Sequence, residues 1–133
     1  MNILLIGSGG REHALANALA MSPLAKKLYV APGNPGVARV GENVELDAGD
    51  HGAVIRFCRD NGSALVVVGL VLPLFGGLVD ALTRAEILAF GPTQAAAQLE
   101  GSKGFTKDLC RDYAIPTAAY ARFSDKDAAR AYV

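Results

Sequence analysis

Ile3-Leu4-Leu5-Ile6 is an unbroken apolar run that ends in Gly7-Ser8-Gly9-Gly10, the pattern of a strand buried on both faces and feeding a tight turn. From Arg11 to Met21 the residues Ala14, Leu15, Ala18 and Leu19 share one helical stripe, and Ser22-Pro23 ends that helix. Leu28-Tyr29-Val30 reads as a second strand, running into Pro32-Gly33-Asn34-Pro35-Gly36, a stretch whose residues suit a shaped loop. A weaker strand is expected over Val44–Leu46. Asp47 or Asp50 then caps a helix with Val54, Phe57 and Cys58 on its inner face, closed near Asn61-Gly62. Leu65-Val66-Val67-Val68 is the strongest strand signal. After Gly69 one helix from about Pro73 is expected, carrying Leu74, Leu78, Ala81, Leu82 and Ala85 on one face, followed by a strand at Ile87–Phe90 and a turn at Gly91-Pro92.

Strands alternating with helices predict an α/β fold, a Rossmann-like doubly wound parallel sheet over residues 1–92, with strand order 3-2-1-4-5. Residues 93–133 differ in kind. Thr93–Leu99 reads as a short Ala/Gln-rich helix. Ser102 caps a helix with Phe105, Leu109 and Tyr113 on one side, and Ile115-Pro116 breaks it. Ala119–Phe123 suits a strand, and Ser124-Asp125-Lys126-Asp127 opens a further helix. These elements are too few to bury a core, so 93–133 is expected to be a linker and an incomplete second domain.

Composition narrows the functional classes. With 51% apolar and 20% charged residues over 133 positions, the chain has the material for a core and is not of the disordered type. Lys plus Arg and Asp plus Glu both number 13, without a cluster of one sign, which argues against a nucleic-acid partner. Cys58 and Cys110 are the only cysteines, so neither a paired zinc site nor a disulfide framework is expected, and both read as free core thiols. The apolar N-terminal run is too short for a signal peptide or membrane span, so a cytoplasmic protein without a membrane partner is expected.

The candidate chemistry lies where the strands end. In an open parallel sheet ligands occupy the crevice at the carboxyl ends of the strands, where the winding reverses. A Gly-rich turn opening a helix offers unhindered N–H groups and the positive end of the helix dipole, so the turn at Gly7–Gly10 points to a small phosphate-bearing ligand. A purely structural reading competes with it, in which the glycines only make the turn and allow close helix packing. A dinucleotide fits poorly: Glu12 stands where GxGxxG needs its third glycine, and the second strand ends Val30-Ala31-Pro32-Gly33 without the ribose-binding acid. Arg11 and His13 beside the turn are candidates for anion contact, His13 having the alternative of a helix residue bonded to a neighbouring carbonyl. No metal-ligand spacing is present.

Taken together, Ile6-Gly7-Ser8-Gly9-Gly10-Arg11-Glu12-His13-Ala14-Leu15, Ala31-Pro32-Gly33-Asn34-Pro35-Gly36, Phe90-Gly91-Pro92-Thr93 and Ala97-Gln98-Leu99-Glu100-Gly101-Ser102-Lys103 resemble, in order and spacing, the start of the glycinamide ribonucleotide synthetases, or phosphoribosylamine–glycine ligases. The resemblance implies an ATP-dependent ligase of purine biosynthesis that joins glycine to 5-phosphoribosylamine through a glycyl phosphate, using ATP and magnesium in its full length. It implies a Rossmann-like domain preceding an ATP-grasp fold. By the same analogy Gly9, Gly10, Arg11 and Glu12, with Asn34 and Gly36, face the substrate phosphate, and Lys103 corresponds to an ATP-phosphate lysine. Lys103 otherwise reads as an exposed lysine in a capped helix.

Two departures shape the expectation. The family is several times longer, so the 133-residue chain is expected to be an N-terminal fragment without bound cofactor and inactive alone. Where the family reads Gly-Pro-Glu-Ala-Pro-Leu, this sequence has Gly69-Leu70-Val71-Leu72-Pro73-Leu74, and Glu86 takes the place of a helix-ending glycine. Leu70, Val71, Leu72 and Phe75 are thus expected to form an apolar patch that drives a homodimer. The altered loop also raises a second reading, an engineered assembly module on this scaffold.

Overall fold

The computed structural model describes residues 1–132 and divides the chain into two compact units, Met1–Ala97 and Gln98–Val133. In the first, strands β1 (Asn2–Gly7), β2 (Lys27–Pro32), β3 (Glu42–Asn43), β4 (Ser63–Val68) and β5 (Leu88–Phe90) form one parallel sheet in the order β3-β2-β1-β4-β5, the expected winding. Helices α1 (Gly10–Ala20), α2 (His51–Asp60), α3 (Val71–Phe75) and α4 (Leu78–Arg84) connect them, with a 3-10 turn at Val37–Arg39.

The strand alternation sorts the core into two faces. Leu4, Ile6, Tyr29, Ala31, Val66 and Val68 point to the layer containing Val54 and Cys58 of α2 and Leu78 and Leu82 of α4. Ile3, Leu5, Leu28, Val30 and Val67 point to the opposite layer, against Ala16 of α1 and Val37. Tyr29 meets Phe57 edge to face, with ring centroids 5.2 Å apart, an arrangement favoured by the ring quadrupoles. Asp50, rather than Asp47, caps α2: Ala53 N–H donates to its carboxylate at 2.8 Å.

Four expectations change. The third strand lies at Glu42–Asn43 instead of Val44–Leu46, although Val44 N–H still donates to Val30 O at 2.9 Å. The long helix after Gly69 is two helices, because Gly76-Gly77 breaks it and Gly77 takes φ +88, a left-handed conformation that Gly adopts without steric cost. The inward face of α1 is Glu12 and Ala16, with Leu15 and Leu19 partly covered, while Ala14 and Ala18 are exposed. That face follows i, i+3, i+4 and i+7 from Glu12, a residue outside the expected stripe of Ala14, Leu15, Ala18 and Leu19.

The fourth change concerns the second unit. Helix α5 (Gln94–Gly101) straddles the division, and α6 (Lys103–Asp112) and α7 (Lys126–Tyr132) follow it. Ser102 caps α6 through Phe105 N–H at 3.2 Å, and Ala128 N–H donates to Asp125 at 2.8 Å before α7. The segment 119–123 is not a strand: among the described residues it has no strand to pair with, and it is tied down by side chains instead. Lys107 Nζ donates to Thr117 Oγ1 at 2.6 Å and Ala118 O at 2.9 Å, Tyr120 donates to Asp108 at 2.9 Å, and Arg122 pairs with the same carboxylate. No residue of α6 is buried.

Candidate functional site

The winding reverses between β1 and β4, so the crevice lies beside the β1–α1 turn and the start of the β4–α3 connection. Gly69 N–H donates to Ile6 O at 2.9 Å and Gly33 N–H donates to Gly7 O at 3.1 Å, which draws the ends of β1, β2 and β4 to one edge. Gly9, Gly10, Arg11, Glu12, Asn34 and Gly36 meet there.

Their side chains do different work. Arg11 is exposed in the first turn of α1. Glu12 is 3% exposed, and its Oε2 accepts the Gly9 N–H at 2.7 Å, as an acid at the third helical position reaches back to a helix start. Asn34 Oδ1 accepts from Gly36 N–H at 2.8 Å and Val37 N–H at 3.0 Å, while its Nδ2 donates to Ser8 O at 2.8 Å. Asn34 therefore ties the second loop to the glycine turn. The ring of His13 lies against Gly36, where an added Cβ would stand 2.7 Å from its Cε1.

A groove of about 570 Å³ opens at the same edge, lined among others by Pro32, Leu46, Asp47, His51, Leu70 and Pro73. Its volume lies within the range of small-molecule sites. The sequence reading assigned no ligand role to Asp47 or His51. Asp47 had been weighed only as a cap, and spacing alone does not bring the start of α2 beside the ends of β2 and β4.

The altered loop is less exposed than the four-residue patch expected from it. Leu72 is 83% and Phe75 44% exposed, whereas Leu70 and Val71 are half-buried and Pro73 and Leu74 are buried. In the second unit, Lys103 lines a cavity of about 370 Å³ with Leu99, Thr106, Lys107 and Thr117. Among the described residues no group of three His, Cys, Asp or Glu side chains is placed to hold a metal ion, and no helix is long and apolar enough to cross a membrane.

A parallel sheet of this winding, with a glycine turn and a shaped second loop at its reversal point, defines a Rossmann-like α/β domain of the kind found in ATP-grasp enzymes. Residues 1–100 match the family model for the phosphoribosylglycinamide synthetase N domain, and the chain belongs to that family. Phosphoribosylamine–glycine ligase of Mesorhizobium japonicum is 60% identical over 133 residues, covering 100% of this chain and 31% of the relative. The ligase of Rhizobium meliloti is 58% identical with the same coverage, so the chain spans about a third of the length of these relatives. The crystal structure of phosphoribosylamine–glycine ligase from Thermotoga maritima aligns with TM-score 0.65 and 28% identity over 90% of this chain and 26% of that one. The biotin carboxylase domain of a single-chain bacterial carboxylase, at TM-score 0.67 and 19% identity over 99% of this chain and 34% of that one, shares the fold.

Proposed function

We propose that this chain forms the substrate edge of a phosphoribosylamine–glycine ligase, an ATP-dependent enzyme joining glycine to 5-phosphoribosylamine. The observation that carries this reading is the placement of the Gly7–Gly10 turn, Gly69 and the Asn34 loop together at the reversal point of the sheet, in a chain of this family. Gly10 and Arg11 hold the substrate phosphate through their N–H groups and the Arg11 guanidinium, at the positive end of α1. Gly9 and Glu12 shape the turn from beneath, and Asn34 and Gly36 form the adjoining wall.

The nucleotide supplies the phosphoryl group that activates the glycine carboxylate. Lys103, in a cavity shared with Thr106 and Lys107, has the donor chemistry to meet its phosphates. Magnesium is assigned no ligand among the described residues. In this reading residues 1–133, about a third of the length of the relatives, supply substrate recognition rather than the whole reaction.

Titration of the chain with ribose 5-phosphate, followed by amide NMR, tests this. Shifts should centre on Gly10 and Arg11, and Arg11→Ala should weaken binding about tenfold, as expected for one charge-assisted hydrogen bond. Absence of any response at those amides, or phosphate release from ATP above a buffer control when glycine and phosphoribosylamine are supplied to the 133-residue chain, would overturn it.

A second reading rests on Leu72, which is 83% exposed: the α3 loop is an interface between two copies of the chain.

A further inference from the structure

We propose that Glu12 is a positioning residue, the built-in anion of the glycine turn, and that Gly69 above all is small in order to admit its side chain. Charged carboxylates are almost never fully buried without a partner. Glu12, at 3% exposure, has one in Gly9 N–H, 2.7 Å from Oε2. Around it the three glycines leave no spare room. A Cβ built on Gly69 would stand 2.7 Å from both Cγ and Oε1 of Glu12, one on Gly9 2.9 Å from Oε2, and one on Gly7 would overlap Cγ. Real side chains do not tolerate such approaches. A Cβ on Gly10, by contrast, meets nothing within 4 Å. Gly69 thus answers to a carboxylate from within the chain, which packs against the carboxyl ends of β1 and β4 and is bonded to the start of α1, while Gly9 crowds only its terminal oxygen and Gly7, at φ +151, also needs glycine for its own backbone.

The Gly9 N–H is occupied, and a second anion brought to it would face the Glu12 carboxylate at close range. A phosphate-bearing ligand is therefore directed to the Gly10 and Arg11 end of the turn. The internal bond stands whether or not the turn meets a substrate.

The test combines a double-mutant cycle with an anion titration on the whole chain. Gly69→Ala should lower Tm by about 5 °C or more in the unmodified protein, the shift expected for a loss of roughly 1 kcal/mol in a domain of this size. In a Glu12→Ala background less than half of that loss should remain, because the colliding atoms are gone. Additive losses would overturn the proposal. Titration of the unmodified protein with inorganic phosphate needs no variant to fold: the Gly9 amide should stay unmoved at concentrations where the Gly10 and Arg11 amides shift, and in Glu12→Ala the freed Gly9 amide should shift with them. A phosphate response at Gly9 in the unmodified chain would equally overturn it. Glu12→Gln keeps an oxygen for Gly9 N–H without the charge. It should hold the fold and restore most of the Tm lost in Glu12→Ala, and failure of that rescue would count against a positioning bond.

Discussion

Glu86 follows the last turn of α4 at φ +60, the left-handed conformation that the sequence suggested by setting Glu where a helix-ending glycine was expected. An L residue in that region costs about 1–2 kcal/mol, and glycine regains this at a loss of about 0.4–1 kcal/mol in unfolded-chain entropy. Glu86→Gly should therefore raise stability by about 0.5–1 kcal/mol, measured by urea unfolding. The two thiols differ for a similarly local reason. Burial on α2 pushes the Cys58 thiol up to about 11, because the thiolate loses its hydration there. A raised acid contributes stability that is full below the unfolded value near 9 and is lost as pH climbs toward 11. Thermal unfolding between those limits should show that loss in the parent and less of it in Cys58→Ala, and a thiol reagent at pH 8 should label Cys110 well before Cys58.

Among the secondary-structure elements, α6 depends on polar ties more than on burial. Asp108 accepts from the Tyr120 hydroxyl and pairs with Arg122, and these partners hold its carboxyl below the usual carboxylate range, Tyr120 first. A depressed acid stabilises the fold above its unfolded value of about 3.9, and that contribution disappears as pH falls through the lower folded value. Acid titration should therefore release Tyr120, seen as a change in its ring resonances below about pH 4. Asp108→Asn should remove this acid-dependent step while leaving the sheet of the first unit untouched. An unchanged Tyr120 profile in that variant would contradict the assignment.

For the chain as a whole, the question is whether the α3 loop joins two copies. Two exposed residues, Leu72 and Phe75, together bury roughly 200–250 Å² on contact, about 5–6 kcal/mol per chain at 25 cal/mol per Å², against association costs of about 4–15 kcal/mol. The margin is smaller than four fully exposed side chains would supply, so any dimer through this loop is weak. Leu72→Glu should shift sedimentation toward monomer at micromolar concentration if the loop is the contact. Identical sedimentation of parent and variant, in a concentration range where the parent associates, would place the contact elsewhere.

The positions of β1, β2, β4 and β5, the strand order and the strand core were legible in the amino-acid pattern, because runs such as Leu65–Val68 have few other ways to be buried and crossover rules restrict their arrangement. The family was legible too, carried by the glycine turn and the loop at Asn34. The positions of β3, the break at Gly77 and the irregular path of 119–123 were not, since each depends on neighbours distant in sequence. The same holds for the site. Spacing shows that Glu12 follows a glycine turn, but its burial depends on Gly69, brought alongside by the pairing of β1 with β4. A charged side chain reads as solvent-facing until the fold supplies both the slot that admits it and the N–H that satisfies it.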